Sequence, residues 1–113
     1  MKRQVAVEFG MGVDLRGEDP TKAARRAALD ALHRHALTVA DALGFPKEAM
    51  LIDVRIGVPN AAAVDRAEVA SAFPYGTVTV EPVEGGLRAV KPGGATLIAN
   101  AVVSVSFDIE RAE

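Results

Sequence analysis

The chain has 113 residues, half of them hydrophobic, with a net charge of −2 and no cysteine. That length and apolar content suit one α+β domain over residues 1–113 with a core of its own. The mixed charge argues against nucleic acid, because phosphate contacts need a concentrated basic surface. The lack of cysteine excludes disulfides, a thiol nucleophile and cysteine metal sites.

In chain order, residues 4–13 alternate. Val5, Val7, Phe9, Met11 and Val13 fall on one face, and Gln4, Ala6, Glu8, Gly10 and Gly12 on the other. This is the pattern of a half-buried strand. Asp19-Pro20 then reads as a helix start, with Asp19 as N-cap and Pro20 in the first helical position. The helix is expected to run to Leu43, where Gly44 and Pro46 stop it. At helical spacing Ala24, Ala28, Ala31, Leu32, Val39 and Ala42 share one side. Lys22, Arg26, Asp30, His33, Arg34 and Asp41 share the other.

Residues 50–58 form a second strand, with Ile52, Val54, Ile56 and Val58 opposite Asp53, Arg55 and Gly57. A short second helix follows. Asp65 and Glu68 fit a capping box at its start, with Asn60 a rival cap, and Pro74-Tyr75-Gly76 ends it. Residues 77–83 alternate again. Gly85-Gly86 is a turn, 87–90 a short return strand, and "KPGG" at 91–94 a second turn. The last strand covers 96–109, with Leu97, Ala99, Ala101, Val103, Val105, Phe107 and Ile109 on one face.

The order β-α-β-α-β-β-β predicts a two-layer sandwich, since right-handed crossovers put both helices on one face of a mixed sheet. The other face is expected to carry Gln4, Glu8, Asp53, Arg55, Thr79, Asn100, Ser104 and Ser106. It is polar but short of long charged residues, as expected of a surface that meets another subunit or encloses a wet pocket. The element order resembles the chorismate-mutase-like fold of small trimeric proteins, also found in the small imine deaminases and the repeats of ring-opening amidohydrolases. That resemblance implies association through sheet edges and faces, with pockets between subunits.

The glycine-rich segment "GMGVDLRGEDP" is the candidate site. Gly10-Met11-Gly12 opens like a dinucleotide fingerprint, but Gly17 arrives two positions late. Glu18-Asp19 stands where a phosphate loop needs Lys-Ser or Lys-Thr. What remains is a glycine-lined loop leading to a helix N-terminus, which suits an anion. Asp14 can serve as a general base, a metal ligand or an Asx-turn residue. Arg16 can clamp a carboxylate or stay solvated. Lys22 adds charge at the helix start.

The segments "GMGVDLRG", "DPTKAARRA", "GVPNAAAVD", "FPYG" and "GGLRA" resemble a small family of conserved hypothetical proteins of bacteria and plants with an N-terminal GxGxDxHG signature. The resemblance implies that Gly10, Gly12, Asp14 and Gly17 carry the signature. Arg16 stands where that signature has His. A His there can shuttle a proton or bind a metal, and Arg, always charged, can do neither. The substitution favours anion recognition over proton transfer.

His33 and His35 point apart on a helix and cannot chelate one ion. His35 lies on the apolar side, either buried and bonded or as the one acid/base candidate at neutral pH. Arg55 can pair at an interface or hold an anion with Asn100 and Glu8 nearby, and Tyr75 can cap a pocket. The catalytic candidates are therefore Asp14 and His35. The ligand-binding candidates are Gly10, Gly12, Arg16, Gly17, Lys22, Arg55, Tyr75 and Asn100. No metal site and no cofactor is implied.

The expected partners are other copies of the chain, as a trimer or higher, and a small polar or anionic molecule. Neither nucleic acid nor membrane is expected. With no signal peptide and no apolar run near about 18 residues, a cytoplasmic location is the expectation. The functional alternatives are a small-molecule protein, catalytic or not, with intersubunit sites, and a non-catalytic assembly or ligand-sensing protein whose glycines serve subunit packing.

Overall fold

A computed structural model of the protein describes residues 1–32 and 38–109. The elements are β1 (Lys2–Asp14), α1 (Pro20–Leu32), α2 (Thr38–Leu43), β2 (Leu51–Gly57), α3 (Arg66–Ala70), β3 (Thr77–Val83), β4 (Leu87–Lys91) and β5 (Gly94–Asp108). The strands make one mixed sheet in the order β1-β5-β2-β3, with β4 paired to the start of β5. Among the described strands only β2 and β3 run parallel. Helices α1 and α3 touch each other and lie on the same side of the sheet, α1 over β1 and β5 and α3 against β3. This is the two-layer α+β arrangement that the element order predicts.

The long last strand organises the sheet. β5 pairs with β1, β2 and β4. Its odd residues Leu97, Ala99, Ala101, Val103, Val105 and Phe107 are all buried under the helices, as their alternation requires. The helical layer is thin because its inner side is alanine. Ala23, Ala24, Ala27, Ala28 and Ala31 are fully buried. This face is wider than the expected Ala24–Ala42 set, and Ala42 is exposed. The expected helix over 20–43 is seen as α1 and α2, and 33–37, with His33 and His35, lie outside the described residues.

Capping follows the sequence closely. Asp19 Oδ1 accepts from the backbone N–H of Thr21 at 2.9 Å and of Lys22 at 3.3 Å. Gly44 ends α2 at φ +75. The N–H of Phe45 reaches Ala40 O and that of Gly44 reaches Asp41 O, which is the Schellman pattern. Asp65 caps α3 by accepting from Glu68 N at 3.2 Å, whereas Asn60 makes no side-chain cap. Asp65→Ala is expected to cost about 1 kcal/mol, read as a lower urea midpoint with unchanged slope.

One expectation fails. The apolar side of β1 does not face the helices. The register slips between Gln4 and Ala6, and a bulge of one residue exchanges the two faces of everything after it. From Ala6 onward the even residues face α1, with Gly10 beside Ala101 and Gly12 beside Ala99. Phe9 and Met11 point to the open side and are 65% and 57% exposed. Glu8 therefore faces the helix layer and cannot join Arg55 and Asn100 across the open face.

Candidate functional site

Gly10 and Gly12 lie inside β1, which corrects their placement in a glycine-lined loop. Helix α1 rests directly on them. A Cβ at Gly10 would overlap the backbone of Ala27 and Ala31. One at Gly12 would overlap the backbone of Ala23, Arg26 and Ala27, closer than the 3.0 Å that real Cβ atoms respect. The close approach belongs to the chain's own helix.

Asp14 ends the strand and is 6% exposed. Its Oδ2 accepts from the backbone N–H of Asp19 at 2.9 Å. Its Oδ1 lies 3.7 Å from the Arg26 guanidinium, which also donates to Val13 O at 2.6 Å. The Asp19 N–H lowers the Asp14 pKa most. The Gly17 N–H, Arg26 and Lys22 add to it, and desolvation, which acts the other way, is outweighed. Gly17 leaves room for this carboxylate, since a Cβ there would come 2.9 Å from Oδ2. Asp14 thus folds residues 15–19 back onto the start of α1. A carboxylate with its lone pairs engaged and its pKa depressed is a poor general base near neutral pH.

The same segment is fastened from the hairpin side. Lys91 Nζ and Thr96 Oγ1 donate to Leu15 O at 2.7 and 3.1 Å. Arg88 pairs with Glu18 at 2.6 Å. Glu18 takes φ +48, a left-handed conformation that these bonds on both sides hold in place.

The remaining candidates do not converge. Arg16 is exposed beside a hollow of about 400 Å³ formed with Lys91 and residues 92–95, and it has no ion-pair partner among the described residues. Lys22 is exposed on the first turn of α1. Arg55 and Asn100 share the open sheet face, and Arg55 is paired with Glu81 at 3.5 Å. Tyr75 sits at the other end of the sheet from Arg16. Thr77 is level with Leu51 and Ser106, whereas Asp14 is level with Leu97. The Lys47 ammonium lies 5.2 Å from the Tyr75 ring centroid. Among the described residues no three metal-ligating side chains come together.

Arg26 and Asp30 are not among the expected site residues. Arg26 holds Val13 O, and Asp30 accepts from Met11 N at 2.9 Å. Their signal was present as the Lys22, Arg26, Asp30 stripe at intervals of four, but such a stripe reads as solvated until the strand beside it is known.

No helix among the described residues is long and apolar enough to cross a membrane. Comparison with curated proteins found no match. Among solved structures, the chain is similar to a crystal structure from Nostoc punctiforme described as an FtsZ-like protein of unknown function. The two are 31% identical, with a TM-score of 0.85 over 96% of this chain and 98% of that one. A family model described as "Conserved hypothetical protein (Lin0512_fam)" matches residues 4–105. With nearly the whole sheet and both packed helices inside that match, the chain belongs to this family of conserved hypothetical proteins.

Proposed function

We propose that this is a homo-oligomeric assembly protein without a catalytic centre in its glycine-rich segment, whose working surface is the open face of the sheet. The observation that carries this reading is the fate of Asp14. Its carboxylate is covered, held by backbone N–H groups of its own loop and kept ionised. The glycines before it are filled by α1. The residues that most resemble a site are therefore committed to folding. Meanwhile Phe9, Met11 and Leu87, large apolar side chains, stand in solvent on the other side of the sheet, a pattern that marks interaction surfaces.

The small-molecule reading draws on Arg55 and Asn100, which lie on that same face and would line any cleft left between subunits. Arg55 already has Glu81 as its partner, so an anion would have to compete for it.

Thermal unfolding over a concentration series tests the assembly reading. An oligomer gains stability by mass action, so its Tm rises with protein concentration. Asp14→Asn should lower Tm at every concentration and leave that rise in place. A Tm independent of concentration would refute the proposal.

A further inference from the structure

The sheet offers a second copy three kinds of surface: a helical face that is covered, edges that are partly guarded, and an open face. The helical face is covered by α1 and α3. At the β1 edge, Met11 N–H is taken by Asp30 and Val13 O by Arg26. These are outward-facing groups of the edge strand, and side chains from α1 occupy them. At the β3 edge, Thr77 N–H points inward to Met50 O. By alternation the N–H groups of residues 78, 80 and 82 point outward, and residue 82 is Pro, which has none. The β1 and β3 edges thus each carry a device that discourages strand addition.

Among the described residues the open face carries no such device. Phe9, Met11 and Val102 adjoin one another on β1 and β5, since Phe9 pairs with Val102 and Met11 with Asn100. They flank a shallow hollow of about 380 Å³. Val13, Ile98 and Leu87 continue the apolar strip toward the hairpin. Next to the strip lie Lys2 paired with Asp53 at 2.8 Å and Arg55 paired with Glu81 at 3.5 Å. Two cations and two anions make this half electrically neutral, so an identical face meets it without net repulsion. From strand spacing and rise, the paired strands present on the order of 700 Å², comparable to the roughly 800 Å² per partner of a stable interface.

We propose that a second copy of this chain covers the open face of the sheet, with Phe9, Met11 and Val102 at the centre of the contact. This rests on the assembly reading above and names the side chains at the centre of its contact. The neutral charge row favours a like face over an anionic lipid surface or a strongly charged peptide. The guarded edges direct association to the face rather than to strand pairing.

The test is sedimentation equilibrium of the unmodified protein and of Val102→Glu, with far-UV circular dichroism to show that the variant is folded. Val102 is 37% exposed, so the single subunit can accept the charge. Buried in an interface, that charge is expected to raise the dissociation constant on the order of 100-fold. An unmodified protein that sediments as a monomer overturns both proposals. An unmodified protein that associates, with a folded Val102→Glu associating equally well, overturns the open face as the contact and spares homo-oligomeric assembly itself.

Should Val102→Glu fail to fold, Met11→Cys gives this cysteine-free chain a single thiol. A bulky maleimide should modify it about tenfold more slowly in the associated than in the diluted protein. Equal rates overturn the proposal.

Discussion

Gly12→Ala is expected to lower the thermal midpoint by roughly 15 °C. One methyl group would have to enter the space held by the backbone of Ala23, Arg26 and Ala27. No flexible side-chain end lies there to move aside, so α1 as a whole must rise from the sheet. Overpacking of this kind costs about 3 kcal/mol at its upper range, a large share of the roughly 5–15 kcal/mol that holds a domain folded. In a domain near this size each kcal/mol moves Tm by about 4–8 °C. Gly10→Ala, which meets Ala27 and Ala31, should act in the same direction. Differential scanning calorimetry reads both. A shift of only a degree or so in Gly12→Ala would mean that the helix does not rest on the strand as described.

Asp14→Asn is expected to cost about 2 kcal/mol, because it weakens a charge-assisted bond to Asp19 N–H and sets an amide against backbone donors. The variant also has a pH signature. The folded pKa of Asp14 lies below its ordinary value of 3.8. A carboxyl whose pKa is depressed by folding contributes stability that is fully present above the unfolded pKa. That contribution is lost as the pH falls through the folded one. The protein should therefore lose stability in acid below about pH 4, and Asp14→Asn should flatten that part of the curve. Urea unfolding at pH 7 and pH 3 measures both effects. A penalty that is as large at pH 3 as at pH 7 would show that the charge of Asp14 is not what holds the loop.

Much of the architecture was legible in the residues. The odd positions of β5 line the core because fourteen residues of alternation leave little freedom of register. Asp19, Gly44 and Asp65 mark helix ends because their side chains, or the lack of one, solve a local hydrogen-bonding problem. The faces of β1 were not legible. A bulge at one residue, invisible in composition, turned Val7, Phe9, Met11 and Val13 outward and the glycines inward. A strand that buries glycine and exposes phenylalanine contradicts the usual pattern, and only the alanines of α1 explain it. Ala23 and Ala27 fit where larger residues could not.

The candidate site was legible as a segment and not as a role. Its glycines, acid and helix start satisfy the description of a ligand loop as well as that of a folding device. The folding role rests on contacts across distant sequence: Gly12 with Ala27, Asp14 with Arg26, Leu15 with Lys91, and Glu18 with Arg88. Arg16 remains distinctive as a guanidinium without an ion-pair partner among the described residues, but it stands apart from Arg55 and Tyr75. The Arg at this position is compatible with a segment that folds rather than reacts, since Asp14 and Gly17 perform their parts without it.

The glycine-rich segment thus builds the helix-covered side of the sheet, and the opposite side is the surface proposed to act. The most direct test is the molar mass of the unmodified protein by light scattering across a range of concentrations. The account predicts a mass of at least twice the 11.8 kDa of one chain, falling toward one chain only on dilution. A mass of 11.8 kDa at every concentration would contradict it.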